Sequence, residues 1–308
     1  MSAALLEKLR ALQRQAGRAT PLPGPLPQGE RETGKAPLPL WERGWGEGSP
    51  QSLPRPQVPE NIRRLLGLRT RSLSVVPAPR VQDRHLPGDE IAPGLRYVES
   101  RHDAPPLPHS IDARFARDFT DLARDEVLCF DTETTGLAGG TGTRAFVIGA
   151  ADLVDGQLRI RQLLTTTLAA EQAMLETFAR WLSPATVLVS YNGRSYDAPL
   201  LKARYRLARL PCPVTPLAHL DLLHPSRRRW RGRWENCRLA TIEHRVLGVV
   251  REDDLPGSEA PRAWRDYLGG GPATDLRRVL AHNHTDVRSL AWLLAHLAKQ
   301  GSEVISPP

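Results

Sequence analysis

Glu126-Val127-Leu128-Cys129-Phe130-Asp131-Thr132-Glu133-Thr134-Thr135-Gly136 is the stretch on which the fold turns. Its apolar run is too short for a core helix and is closed by a Thr/Gly turn, so it reads as a buried strand. Side chains two apart on a strand leave the same face, which sets Asp131 and Glu133 side by side at the strand's end. Buried like charges repel unless a cation lies between them, and hard oxygen ligands of this kind suit magnesium or manganese. Taken alone, a DxE pair is more often a strand end whose acids face solvent.

Working outward, AFVIGAADLV (145–154) follows a Gly/Thr turn, and GQLRIRQLL (156–164) alternates after the hairpin signal Asp155-Gly156. The three runs predict an antiparallel meander. Helical periodicity over 170–182 (Met174, Leu175, Phe178, Trp181, Leu182) leads to a further buried strand, Thr186–Tyr191. A crossover helix between strands implies a parallel partner. Helices are also predicted at 198–208, 238–247 and 274–298, the last with Leu276, Val279, Leu280, Asn283, Val287, Leu290, Leu294 and Leu297 on one stripe.

Two more carboxylates change the weight of the first pair. Tyr191-Asn192-Gly193-Arg194-Ser195-Tyr196-Asp197 leaves a strand through an Asn-Gly turn and enters a helix, with Pro199 in its first turn. Asp197 then stands at a strand's C-terminal edge, where α/β sheets hold ligands; plain helix capping is the other reading. His282-Asn283-His284-Thr285-Asp286 sets His282 and Asp286 four apart on one helical face, as either site residues or a solvated polar face.

FDTETTG, YNGRSYD and HNHTD, in this order, resemble the three motifs of the DEDD exonuclease superfamily, and more closely the YprB-type ribonuclease H-like domain. HLDLLHPSRRRW (219–230), CRLATIEHRVLG (237–248) and REDDLPGSEAPRAWRDYL (251–268) are similar to that family's middle region, so the match spans about residues 125–298. The resemblance implies an α/β ribonuclease H-like fold, a mixed five-stranded sheet flanked by helices. It also implies two Mg²⁺ or Mn²⁺ ions, with Asp131 bridging both, Glu133 and Asp286 on the ion that activates water, and Asp197 supporting the second. Two such ions roughly 3.5–4 Å apart can generate hydroxide and stabilise the leaving oxygen of an in-line phosphodiester attack. The third motif departs from the family pattern, which has a histidine five residues before the final acid or a tyrosine four before it. Here His282 stands four before Asp286 and is assigned the tyrosine's place, orienting or deprotonating water. Leu137 is similar to the apolar residue that family members wedge against the terminal base; its other reading is core.

Arg227-Arg228-Arg229-Trp230-Arg231-Gly232-Arg233-Trp234 interleaves charge and aromatic rings, a composition able to neutralise phosphates and stack bases. Arg228, Arg229 and Trp230 are accordingly placed with Asn192 and Leu137 as nucleic-acid contacts. The other reading is a surface loop whose tryptophans pack on the core. Asp221, Asp253 and Asp254 lack companions at metal-ligand spacing and are left out of the site, and Cys237 reads as a small buried hydrophobe.

Of the 28 prolines among 308 residues, 17 fall in the first 120, which points to one folded domain behind a long arm. The expected boundaries are an amphipathic helix at 1–17, a mostly disordered Pro/Gly-rich tract at 18–84 that repeats PLPQGER as PLPLWER, and an edge-packing segment at 85–124 with a short strand at Leu95–Glu99. The catalytic domain follows at 125–299, then a disordered tail at 300–308. The net charge of +8 divides as +5 before residue 121 and +3 after it, so the acidic site and the Arg/Trp segment matter more than their sum. Three scattered cysteines support no disulfide framework, and charges at Glu7, Lys8 and Arg10 argue against a signal peptide, so a soluble cytoplasmic protein is expected. These features predict a metal-dependent 3′→5′ exonuclease acting on single-stranded DNA or RNA ends, with no membrane partner and protein partners unspecified. A non-catalytic nucleic-acid-binding module and a structure-selective endonuclease stand as alternatives.

Overall fold

The computed structural model describes residues 82–136 and 142–303. The helix expected at 1–17, nearly all of the 18–84 tract, Leu137 and the tail beyond residue 303 lie outside the described residues.

The described strands are β1 (Asp89–Ala92), β2 (Leu95–Asp103), β3 (Ser110–Asp112), β4 (Asp121–Ala123), β5 (Val127–Thr134), β6 (Ala145–Val154), β7 (Gln157–Thr165), β8 (Val187–Ser190) and β9 (Ala218–Asp221). The α-helices are α1 (Glu171–Ala179), α2 (Asp197–Leu207), α3 (Leu223–Trp230), α4 (Leu239–Ile242), α5 (Ala260–Leu268) and α6 (Thr274–Glu303). β1, β2 and β5–β9 form one mixed sheet in the order β1-β2-β7-β6-β5-β8-β9, while β3 and β4 pair separately. β5, β6 and β7 form the expected antiparallel meander, and β5–β8 and β8–β9 are parallel; α1 carries the chain from β7 past β6 and β5 to β8, whose parallel partner is β5.

The sheet has seven strands where five were expected. The strand read at Leu95–Glu99 runs on to Asp103 and pairs residue for residue with β7 from Leu95↔Thr165 to Asp103↔Gln157, and β1 folds back on it. Its half-exposed, charged sequence hides this edge, because only one side meets the core.

Alternation along the central strands sorts the core into two layers. Val127 and Cys129 of β5, with Val187 and Val189 of β8, turn toward Val287, Leu290 and Leu294 of α6. Leu128 and Phe130 turn the other way, onto Phe178 of α1 and Leu201 and Tyr205 of α2. A third cluster closes over β6 and β7, where Trp264 of α5 stacks on Phe146 with ring centroids 5.2 Å apart and donates its indole N–H to the Thr165 carbonyl.

Two local expectations change. The helix expected over 238–247 is the single turn α4 followed by a π-helical turn, Glu243–Leu247, which closes at Gly248 in the left-handed region (φ 68°). The wider turn brings Glu243 into the interior. Residues 223–230 form a helix that leaves Arg227, Arg228 and Arg229 exposed while Trp230 turns into the core, stacked on Trp234 at 5.7 Å and beside His296. At 5% exposure Trp230 offers no face to a base, so its assignment as a nucleic-acid contact is corrected to a core residue. No described helix is long and apolar enough to cross a membrane.

Candidate active site

β5 delivers Asp131 and Glu133 to the face on which α6 packs, and α6 brings Asp286 down to meet them; Thr132, between the two acids, points to the other face, where its hydroxyl donates to Asp197 at the start of α2. Asp197 therefore reaches the strand end from the opposite layer. All four carboxyls are pushed up. For Asp131 and Glu133 burial is the main cause, with Asp286 and Asp197 adding repulsion, and both sit well above the usual carboxylate range. Burial raises Asp197 to about 6, and it raises Asp286 against the pull of Arg251. Four raised carboxyls, two of them pushed up by the charges of the others, make a site whose charge a cation would balance.

Each acid but one has a protein donor. Asn283 Nδ2 donates to Asp131 Oδ2 at 3.0 Å and to the Asp131 carbonyl at 3.3 Å. The amide is held in that sense by Gln162, whose Nε2 donates to Asn283 Oδ1 at 2.9 Å and to the Leu280 carbonyl at 2.8 Å. Gly149, opposite Asp131 in the β5–β6 register, makes the room: a Cβ there would lie 2.1 Å from Asn283 Oδ1. Asp286 accepts from Arg251, and Glu133 takes no hydrogen bond among the described residues. Drawn toward these separate donors, no three His, Cys, Asp or Glu side chains among the described residues are gathered closely enough to hold an ion as they stand. The chemistry of the donor set nevertheless fits hard divalent cations: four shielded carboxyls, that of Glu133 without a hydrogen bond among the described residues, with a single guanidinium against them.

That guanidinium was not foreseen. Arg251, between the π turn and α5, donates Nε and Nη2 to the buried Glu243 at 2.8 and 2.7 Å and also reaches Asp286. Burial opposes its charge, yet the hydrogen bonds to Glu243 and the Asp286 charge hold it above the ordinary arginine range. His282 lies in the same group, with Nδ1 2.7 Å from Asp254 Oδ1 and 2.9 Å from Arg251 Nη1, and Nε2 3.6 Å from Asp286 Oδ2. A guanidinium only donates and a carboxylate only accepts, so Nδ1 serves one at a time: protonated it donates to Asp254, unprotonated it accepts from Arg251. His284 points away to β2, and burial pushes it down to about 4.

Asp221, excluded from the metal site on spacing, has a different task. Nearly fully buried, it accepts from the Asn192, Arg194 and Leu223 amides at 2.7, 3.2 and 3.0 Å. These bonds fix the turn before α2, in which Asn192 takes a left-handed conformation (φ 68°). A cavity of about 310 Å³ opens here, lined by Asp131, Thr132, Asn192, Tyr196 and Asp197 among others. Arg228 donates to the Phe115 carbonyl and shares a neighbouring cleft with Arg194 and Asp221, while Arg229 is exposed. A cavity of about 700 Å³ between residues 106–112 and the C-terminal half of α6 is lined by none of the four carboxylates and has Asp112 as its one acid. Cys237 is half-buried rather than buried, and its carbonyl accepts from the Tyr191 hydroxyl at 2.7 Å.

A family model described as the RNase H superfamily matches residues 128–298, a span that begins on β5 and ends in α6 and so takes in all four carboxylates. The chain belongs to the RNase H superfamily. It is 36% identical over 178 residues to the uncharacterized protein YprB of Bacillus subtilis (strain 168), a match covering 58% of this chain and 43% of that protein. The chain thus spans less than half the length of that relative. Similar solved structures include the family B DNA polymerase of the hyperthermophilic archaeon Pyrobaculum calidifontis (TM-score 0.43, 20% identity, 56% of this chain and 24% of that one). Another is product-bound exonuclease I (TM-score 0.34, 14% identity, 51% and 46%). The RNase H superfamily domain here carries the sheet order described above with β1 and β2 added at its edge.

Proposed function

We propose that this RNase H superfamily domain is a divalent-metal-dependent nuclease, and specifically a 3′→5′ exonuclease that releases nucleoside 5′-monophosphates from single-stranded DNA or RNA ends. The observation that carries the reading is the set of four raised carboxyls, the buried Glu133 and Asp197 and the half-buried Asp131 and Asp286, converging from β5, α2 and α6 with their charges unbalanced. Those four residues would hold Mg²⁺ or Mn²⁺, which when bound supplies a water-derived nucleophile and stabilises the leaving oxygen. Asn283 aims Asp131, and Thr132 aims Asp197. His282, tethered through Nδ1, presents Nε2 on the Asp286 side, placed to orient an attacking water or take its proton. The cavity beside Asn192 and Tyr196 offers the space for a terminal nucleotide, and the exposed Arg228 and Arg229 offer charge for the phosphates behind it.

Digestion of end-labelled linear and of circular single strands with Mg²⁺ or Mn²⁺, beside an Asp131→Asn control, tests the proposal. Mononucleotide release from linear strands alone, abolished in the control, is the expected result. Cutting of circles would establish an endonuclease instead, and metal-independent binding without product would establish a binding module.

A further inference from the structure

On the side of α6 turned toward β2, a second group of ligating side chains stands clear of the carboxylates. Ser100 and His102, two apart on β2, share the strand face that packs under α6, since their partners Ile160 and Leu158 belong to the core layer beneath that helix. His284 descends from α6 between them. His102 Nε2 and His284 Nε2 are 3.0 Å apart, and Ser100 Oγ is 2.9 Å from the first and 3.0 Å from the second. The ring planes cross at 70° with centroids 4.9 Å apart, so the rings are not stacked.

Three donor atoms in a near-equilateral triangle are poorly served by hydrogen bonds, because two Nε2 atoms and one hydroxyl cannot supply a straight bond along every edge. A single cation serves all three. A point about 2.1 Å from each corner sees every pair at about 90°, and about 2.0–2.1 Å is the zinc–imidazole distance. We infer that Ser100, His102 and His284 form a site for a transition-metal ion of the zinc class, with water completing its shell. Two imidazoles select such an ion over Mg²⁺, which prefers oxygen ligands throughout. The charged neighbours, Asp103 and Arg288, are of opposite sign. An ion here would staple β2 to α6, independently of any nuclease activity.

The test uses the full chain, stripped with chelator and returned to excess Mg²⁺, then titrated with Zn²⁺ by calorimetry and with Co²⁺ by visible absorption. About one Zn²⁺ per chain is expected in the wild type and in Asp131→Asn, with affinity falling at least about tenfold in His102→Ala and in His284→Ala. His102→Gln and His284→Gln, which keep bulk and hydrogen bonding, should show the same loss with an unchanged circular dichroism spectrum. The site is overturned if the wild type binds no Zn²⁺, if the histidine variants bind as well as wild type, or if Asp131→Asn abolishes binding.

Discussion

Replacing Asp197 by asparagine should make the metal-free protein more stable while abolishing hydrolysis. Burial raises the Asp197 carboxyl from 3.8 to about 6. At about 1.4 kcal/mol per pH unit, keeping it ionised costs the folded state on the order of 3 kcal/mol. Because the folded value lies above the unfolded one, the favourable contribution is complete below about 3.8 and is lost as the pH rises through about 6. Asparagine has no charge to bury and keeps an oxygen for the Thr132 hydroxyl, and it also relieves Asp131 and Glu133, both of which the Asp197 charge pushes up. At roughly 2–4 °C per kcal/mol for a domain of this size, the gain at pH 7.5 amounts to roughly 6–12 °C in Tm. The assay is thermal and urea denaturation in chelator between pH 4 and 8, read as the difference between Asp197→Asn and wild type so that ionisations elsewhere cancel. That difference should shrink toward zero below pH 4. A variant no more stable than wild type at pH 7.5, or a difference that does not change with pH, would refute the account of the site as an unbalanced charge cluster.

Two further substitutions probe the supports of the site. Gly149→Ala places a Cβ 2.1 Å from Asn283 Oδ1, so Asp131 should lose its donor. Mn²⁺ affinity by calorimetry is expected to fall about 10–100-fold, with roughly 1–3 kcal/mol lost in urea denaturation, and wild-type affinity would exclude Asn283 as the residue that aims Asp131. Arg251→Met leaves Glu243 buried without its cation and should cost about 3–5 kcal/mol, most of it recovered in the Glu243→Gln/Arg251→Met double variant. A double-mutant cycle with no coupling would show that the pair does not act as a unit.

The meander, the crossover and the four acids were legible because each depends on a short-range pattern: alternation on β5, the Asp155-Gly156 turn, the four-residue step from His282 to Asp286. What stayed hidden depends on partners far away in the chain. Nothing near Arg251 announces that Glu243 has been turned inward by a π turn, because that turn leaves no composition signal. Asn283 sat in the core stripe of α6 but gave no hint that it faces Asp131, 152 residues earlier. Trp230 shows the opposite failure: its arginine neighbours suggested an exposed binding segment, but a helical turn of three exposed arginines ends on a residue of the buried face. β2 was read at half its length because its outer half is charged.

Helix α6 carries Asn283 and Asp286, while their partners Asp131, Gln162 and Arg251 come from β5, β7 and the segment after the π turn. A chain that has formed its sheet and α2 but has not docked α6 therefore holds three of the four carboxyls in an unassembled state. Hydrolytic competence should arrive in one step with the docking of that helix, and late, since the contacts that complete it join residues more than a hundred positions apart. Partly folded intermediates would be inert toward nucleic acid, and recovery of activity during refolding would report the final docking event rather than the formation of secondary structure.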